Sequence, residues 1–517
     1  MNWTAGYNNS VAYTMGYHHE QSPTYLNACL AMQRVAPPEL DSFTYCELGF
    51  GQGLTSLILA ATHPDGDFYA CDFNPLHVLA ASSIKQEANL QNLTLLENSF
   101  GELAQGRVDL PMFDYVTMHG IISWISDETR AQIVTFLSRY LKPGGVVQVS
   151  YNAMIGCAQV LPLQRLLRTH AGEKGDDWRQ ASELATKLAA LGSEHFAHNP
   201  DSLGRVKDFD KLDARYLVHE YMHETWTPFY FADIAREFAE AKLTYAGSAR
   251  FSYMSPVAWL SDEQRIWMDG VGDPVRAEEL RDYFANRAFR SDIFVRGRVT
   301  LNDSRLREQA ARVHLWGNPD VEYASVVSVE HTSVTRVGDY HRAMFDLLHR
   351  SEATLADIFD APEFAGLDLD YVLKLVRLSL AANETSLRYG PMQPRAAADR
   401  LNAVLLARME QGEGWPALAT TRLGGGAGVS GLDQLLMASL NEKEDRTKSL
   451  GKDILELSAR VARSMQTSGL NLTIAGDKVD RDDVSKRIGH IFADSGAKLI
   501  AHCVAQGFWT EPKAGRR

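Results

Sequence analysis

The sequence predicts an α/β chain. It has a largely parallel sheet wrapped on both faces by helices, a helical insertion, and a mostly α-helical C-terminal part. Three observations carry this. From residue 43, short apolar runs alternate with helical patterns at βαβ spacing. After residue 155 that alternation stops and amphipathic helical runs joined by polar loops take over. Two further strand-like runs, within 228–250 and 291–301, then complete the same sheet.

The elements follow in order. "FTYCELG" reads as a strand and "LTSLILAATH" as the helix after it. "DFYACDF" is a second strand, and Pro75 opens the helix "PLHVLAASSIKQEANL". "NLTLLENS" and "MFDYVTMHG" are the third and fourth strands. "SDETRAQIVTFLSRYL" has a Ser or Asp cap before an apolar stripe and so reads as a helix. "KPGG" is a turn into the fifth strand, "VVQVSYN". "VLPLQRLLRTHA" and "WRQASELATKLAALG" are helices of the insertion. "PFYFADIAREFAEAKLTYAGSAR" gives a helix, a short loop and a strand, and "SDIFVRGRVTL" a last strand. Residues 338–400 read as helical with one short apolar element near "SLRYGP", a winged-helix outline whose acidic stretch argues against DNA reading. "LGGGAGVSG" reads as a flexible loop or linker, and 432–510 as helical.

At 517 residues the chain is too long for a single core and predicts two to four domains. A 45% apolar and 23% charged composition is that of an ordinary soluble protein. A net charge of −13 argues against a general nucleic-acid or anionic-membrane binder. The first residues lack the charged and apolar regions of a signal peptide, and no run approaches the roughly 20 apolar residues that span a bilayer. The five Cys are scattered without a C-x-x-C pair, and Cys46 and Cys71, in apolar strand-like runs, read as buried reduced thiols, so the expected compartment is the cytoplasm.

The strongest chemical signal is "YCELGFGQGLTS". A strand ends in Glu47, and Gly49, Gly51 and Gly53 follow before a helix. Glycines at such a bend allow positive φ and let the backbone approach a ligand closely. Position 54 is Leu, so this is not the dinucleotide G-x-G-x-x-G, and the absence of G-K-[ST] excludes a P-loop.

E-x-G-x-G-x-G at this place resembles motif I of the class I S-adenosyl-L-methionine (AdoMet) methyltransferases, whose sheet is Rossmann-like and seven-stranded. Asp72 at the end of strand two, Asn98-Ser99 after strand three, and "YLKPGGVVQVS" strengthen the resemblance. It narrows further with "AYTMGYHHEQSPTYL", "CDFNPLH", "FDYVTMHGIISWIS", "YLVHEYMHETWTPFYFADIA", "SDIFVRG" and "DQLLMASL". These are similar to bacterial proteins with a methyltransferase regulatory domain, including rickettsial-type protein-lysine methyltransferases of outer-membrane proteins. The resemblance covers most of 1–300 and becomes faint beyond.

It implies five segments: an AdoMet-binding core with an N-terminal cofactor lid (1–154), a helical insertion (155–225), a regulatory-type segment that completes the sheet (226–302), a middle helical, winged-helix-like domain (303–425) and a C-terminal helical domain (426–517). Carried over by position, Glu47, Gly49, Gly51 and Gly53 line the methionine side of AdoMet. Asp72, with Phe73 beside it, holds the ribose, and Asn98 and Ser99 flank the adenine. His119 faces the sulfonium region, Tyr13 and Tyr17 fold over the cofactor, and Trp124 lies near it. His219, Glu220, Tyr221 and Trp226 are candidates for the acceptor side, as proton relay and aromatic wall. The implied acceptor is a lysine of a protein, such as an outer-membrane or surface protein. A small-molecule acceptor and a non-catalytic AdoMet-binding regulatory role are the alternatives. The C-terminal part would grip a protein partner or form a homodimer.

One motif competes. His219-Glu220-Tyr221-Met222-His223 fits H-E-x-x-H, the zinc-hydrolase pattern. Pro228 soon disrupts the helix that a zincin would continue, and no third ligand follows at zincin spacing. No metal is expected.

Overall fold

The computed structural model describes residues 15–171, 178–211, 214–223, 225–256, 259–330, 332–440, 454–467, 473–474, 477–478 and 483–509. Tyr13 lies outside them, as does the side chain of His219.

The first half builds one sheet. Helix α1 (Pro23–Met32) precedes β1 (Phe43–Leu48), α2 (Leu54–Thr62), β2 (Gly66–Asp72), α3 (Pro75–Glu87), β3 (Leu93–Glu97), α4 (Phe100–Gln105), β4 (Phe113–Met118), α5 (Asp127–Tyr140) and β5 (Leu141–Asn152). After the insertion come β6 (Leu243–Ser248) and β7 (Phe289–Arg296). The strand order is β3-β2-β1-β4-β5-β7-β6. Strands β1 to β5 are parallel, and β7 runs antiparallel to both β5 and β6. Reversal of strand order beside β1 opens a crevice at the carboxyl ends of β1 and β4, where ligands of such sheets bind.

Local chemistry sets the boundaries. Asn74 caps α3 by accepting the Leu76 N–H at 3.0 Å, with Pro75 in the first turn. Ser126 caps α5 by accepting the Thr129 N–H at 3.2 Å. "KPGG" departs from expectation. Strand β5 already begins at Leu141, opposite Phe113, and the next register pair is Tyr115 with Val146, so the turn residues bulge out within the strand.

The two faces of the sheet are covered differently. One face packs against α4, α5 and the helix Phe231–Ala239, through Phe136, Leu137 and Phe238. The other packs against α1, α2 and α3, and this core continues without a break into the C-terminal half, as far as Trp509. The insertion has its own small core, with Leu163, Phe196 and Tyr221.

The C-terminal half is mostly helical, with short strands: β8 (Val313–Gly317), β9 (Val326–Val329), β10 (Thr332–Thr335), β11 (Ala353–Thr354), β12 (Thr385–Tyr389), β13 (Ala417–Thr420) and β14 (Gly425–Gly428). Strands β11-β8-β12 form a three-stranded sheet beside the helices Tyr340–Arg350 and Leu369–Ala381. The segment "LGGGAGVSG" is not a linker. Its Gly425–Gly428 pairs with β13 and packs on the N-terminal segment. A Cβ at Gly426 would come within 3.0 Å of the Tyr17 ring, so glycine serves close packing there, not flexibility.

Candidate active site

The glycine turn after β1 lines a chamber. Gly49, Gly51 and Gly53 all have positive φ, at 75°, 57° and 82°. A Cβ would strike Ile121 at Gly49 and Ala81 at Gly53, while at Gly51 it would meet nothing within 4 Å. Gly51 therefore faces open space. That space is a cavity of about 380 Å³ whose lining includes Glu47, Gly49, Gly51, Asp72, Phe73 and Phe100.

Asp72 stands at the carboxyl end of β2. One oxygen accepts the Gly51 N–H at 2.9 Å, and the other accepts the Asn74 N–H at 2.9 Å and faces His77 Nδ1 at 3.3 Å. This ties the carboxylate to the glycine turn. Glu47 is buried, accepts from Ser56 Oγ and accepts Gln21 Nε2–H at 3.1 Å. Burial raises its pKa to about 7 against those hydrogen bonds, and Asp72 adds to the rise.

His119 follows β4 and lines the chamber. Its ring stacks on His18 with centroids 3.4 Å apart, and Phe289 lies 5.8 Å away. Its Nδ1 is buried without a hydrogen-bond partner. Burial and the adjacent His18 push its pKa down to about 3, and burial takes His18 down to about 4. Both rings are neutral at pH 7.

The insertion supplies another part of the lining. Glu220, on the helix Ala214–Tyr221, lines the chamber with Trp124, Asn152, Arg205 and His223. Burial raises the Glu220 pKa to about 7, with Arg205 opposing. The Trp124 ring packs against His223 at 5.2 Å and Trp226 at 6.1 Å. The helix ends at Tyr221, two residues before His223.

The candidate residues therefore separate into two groups. Glu47, Gly49, Gly51, Asp72, Phe73, His119, Trp124 and Glu220 meet around one cavity. Gly53 begins α2 behind the turn. Asn98 and Ser99 do not line the chamber: the Asn98 carbonyl accepts from Cys71 Sγ, and Ser99 caps α4 in a capping box with Glu102, leaving Phe100 at the wall. Tyr17 faces away, its hydroxyl accepting the Gly426 N–H at 2.6 Å. The Tyr221 hydroxyl accepts from Arg205 at 3.3 Å, and Trp226 Nε1–H donates to Asn152 Oδ1 at 3.1 Å. These last two support the wall from outside. His18, Tyr151, Asn152, Arg205 and Phe289 were not marked by the sequence reading, and the alternation of "GYHH" on an extended segment is the one signal that could have flagged His18.

Comparison with known proteins gives two family matches. Residues 46–147 match a methyltransferase domain, and 213–296 match a predicted methyltransferase regulatory domain. An uncharacterised protein of Synechocystis sp. is 29% identical over 500 residues, covering 91% of this chain and 95% of that one. An uncharacterised protein of Rickettsia prowazekii is 23% identical over 295 residues, covering 54% of this chain and 51% of its own length. Among solved structures, PKMT2 from Rickettsia typhi in complex with AdoHcy superimposes with a TM-score of 0.67 at 18% identity, covering 94% of this chain and 98% of that one. That likeness is one of fold. Along nearly its whole fold and in both matched segments, the chain resembles the class I methyltransferases that carry a methyltransferase regulatory domain, the rickettsial type among them.

Proposed function

We propose that this protein is an AdoMet-dependent methyltransferase that modifies lysine side chains of a protein. One observation carries the reading: a single chamber is lined both by the glycine turn with Asp72 and by the carboxylate of Glu220. The residues present suit the cofactor. Gly51 leaves open space beside the backbone, Asp72 is an acceptor at the end of β2, and His119 Nδ1 is a buried polar atom without a partner. Glu47 and the glycines would border the methionine part, Asp72 the ribose, and Phe73 and Phe100 the adenine. PKMT2 of similar fold binds AdoHcy, which favours the same ligand class here.

Bound there, AdoMet supplies an electrophilic methyl carbon. The chain supplies the acceptor's state. A lysine ammonium, with a pKa of about 10.4 in water, must lose a proton before it can attack. The rings of Trp124 and Phe289 exclude water and favour the neutral amine. Glu220, held at about 7, is matched to take that proton near neutrality. Neutral His119 places no positive charge beside a cationic sulfonium. Trp226 and Tyr221 act as positioning residues, through Asn152 and Trp124 and through Arg205.

Tritiated AdoMet and whole-cell extract test this. Label is expected in discrete protein bands that survive base and yield methyl-lysine on hydrolysis. Label confined to solvent-extractable material would instead identify a small-molecule acceptor. Binding of AdoMet without label in either fraction would leave a non-catalytic regulatory role.

A further inference from the structure

A second cavity, of about 810 Å³, adjoins the chamber. The wall between them is one extended segment. Gly16 and His18 line the chamber, and Tyr17 and His19 line the second cavity. Up to His18, at φ −119° and ψ 96°, this is the period-two alternation of an extended chain, and His19 then opens a short 3-10 turn. The segment is held by His18 N–H donating to Thr55 Oγ1 at 3.2 Å and by the Tyr17 bond to Gly426. A second shared element is Phe289. His119 packs near its ring on the chamber side, and the Arg250 guanidinium lies 5.1 Å from its centroid on the groove side.

The groove is bordered by strands. Strands β9, β12 and β14 each have one hydrogen-bonded neighbour among the described residues, and they contribute Ser328, Ser386 and Gly428 to its lining. For β14 the direction of the free edge is known. Gly426 N–H points away from β13 to reach Tyr17, and residues two apart in an antiparallel ladder point the same way, so Gly428 directs its N–H and C=O to that side too. An open strand edge is a template for another extended chain. Charge adds a preference. The carboxylates of Glu20 and Glu330 face the groove with the Arg250 guanidinium between them, at 3.4 and 3.9 Å. His19 and the Arg250 guanidinium oppose the effect of burial, and Glu20 is held down at about 2.

We propose that this groove docks an extended, basic segment of the acceptor polypeptide along these strand edges, one strand's thickness from the chamber. Identifying the docked chain as the acceptor rests on the protein-lysine reading above; the docking itself does not. The two carboxylates outnumber the one guanidinium between them, which disfavours a nucleic acid, and a small metabolite would leave the strand edges unused.

The test uses the full chain and a fluorescein-labelled pool of nonapeptides, each with a central lysine and further lysines among Gly, Ala, Ser and Val. Fluorescence anisotropy is measured for the unsubstituted protein, Ser328→Trp, which fills the groove, and Glu330→Lys, which reverses its charge. Calorimetry with AdoHcy monitors the chamber. The proposal expects saturable peptide binding, a Kd raised tenfold or more in each variant, and AdoHcy affinity within twofold throughout. Absent peptide binding, or equal binding by all three proteins, would overturn it. So would a photo-crosslinker at position 328 that captures residues 1–14 of the same chain in place of the peptide. The readout requires no methyl transfer. Groove-dependent binding without label transfer would sink the function and keep the groove, whereas labelled proteins without groove-dependent binding would sink the groove alone.

Discussion

Two clusters of buried ionisable groups, both near β5 and β7, follow opposite rules. Within the segment that matches the regulatory domain, Arg290 donates to Asp292 at 2.7 Å, Asp282 at 2.6 Å and Glu278 at 2.8 Å, while Arg287 pairs with Glu278 and Asp282 at 3.3 Å. Tyr151, at the end of β5, donates to Asp292 at 2.7 Å. Burial alone would raise Glu278, but Arg290, Arg287 and Arg281 outweigh it and hold the carboxyl at about 2. In the chamber, burial dominates instead. Glu47 and Glu220 rise to about 7, and His18 and His119 fall to about 4 and 3. Where the arginines outweigh burial, as at Glu278, the carboxylate stays ionised and helps fix the packing of β7 on its helices, while at Asp282 burial still prevails and raises the pKa. Groups left to face a cavity are driven toward neutrality, which suits them to bind a ligand or move a proton. The cluster is built for structure and the chamber for exchange.

The largest expected break is at Glu220. Glu220→Gln should lower kcat about 10²- to 10⁴-fold, the range for loss of a general base. Activity of the unsubstituted enzyme should rise as pH passes about 7, where Glu220 loses its proton, and the variant should lack that limb. The sign for stability is the reverse. Between the ordinary 4.5 and about 7 the folded protein holds a proton that the unfolded chain has released, so this carboxyl subtracts stability as pH rises through that window. Glu220→Gln should therefore be at least as stable as the parent at pH 8, as measured by denaturant unfolding.

Arg290→Ala should show the contrary profile. Removing the central cation leaves Glu278, Asp282 and Asp292 buried without it, at a cost of about 3–5 kcal/mol, measured by thermal or denaturant unfolding. A loss comparable to that of an exposed pair would make the cluster's pairing incidental.

Asp72→Ala should weaken AdoHcy binding by about 1.5–3 kcal/mol, or roughly 10- to 150-fold, since charged hydrogen bonds to the ribose would be lost. Unchanged affinity by calorimetry would move the ribose elsewhere. The smallest effect is expected from Trp226→Phe, which keeps the ring against Trp124 but removes the hydrogen bond to Asn152. About 1 kcal/mol of stability should go, with kcat altered less than in Glu220→Gln.

Most of the sheet was legible because it rests on local patterns. Strand-helix alternation, Asn74-Pro75, Ser126 and the glycine turn each act within a few residues of themselves. The chamber was legible in part for the same reason, through Glu47, the glycines and Asp72. Its other half comes from elements far apart in the chain: His119 and Glu220, which the family resemblance flagged, and His18, Arg205 and Phe289, which nothing did. No local pattern marks Phe289 as a shared wall. Tyr221 and Trp226 illustrate the limit from the other side. The motif put them near Glu220, but the last turn of the helix directs Tyr221 into the insertion's core, and Trp226, beyond the helix, bonds to Asn152. "LGGGAGVSG" shows it once more. Glycine richness reads as freedom until the partner that needs the missing side chains, Tyr17, is in place.

The sequence by itself determined the βαβ order, the glycine bend at the end of β1 and the acid at the end of β2, because backbone conformation and strand periodicity are short-range properties. Only the tertiary structure decided which side chains share the chamber, that the extended segment at Gly16–His19 separates it from the groove, and which buried charges have partners. Those depend on distances between segments hundreds of residues apart, and on the burial that sets whether a carboxyl stays charged or becomes a base near neutrality.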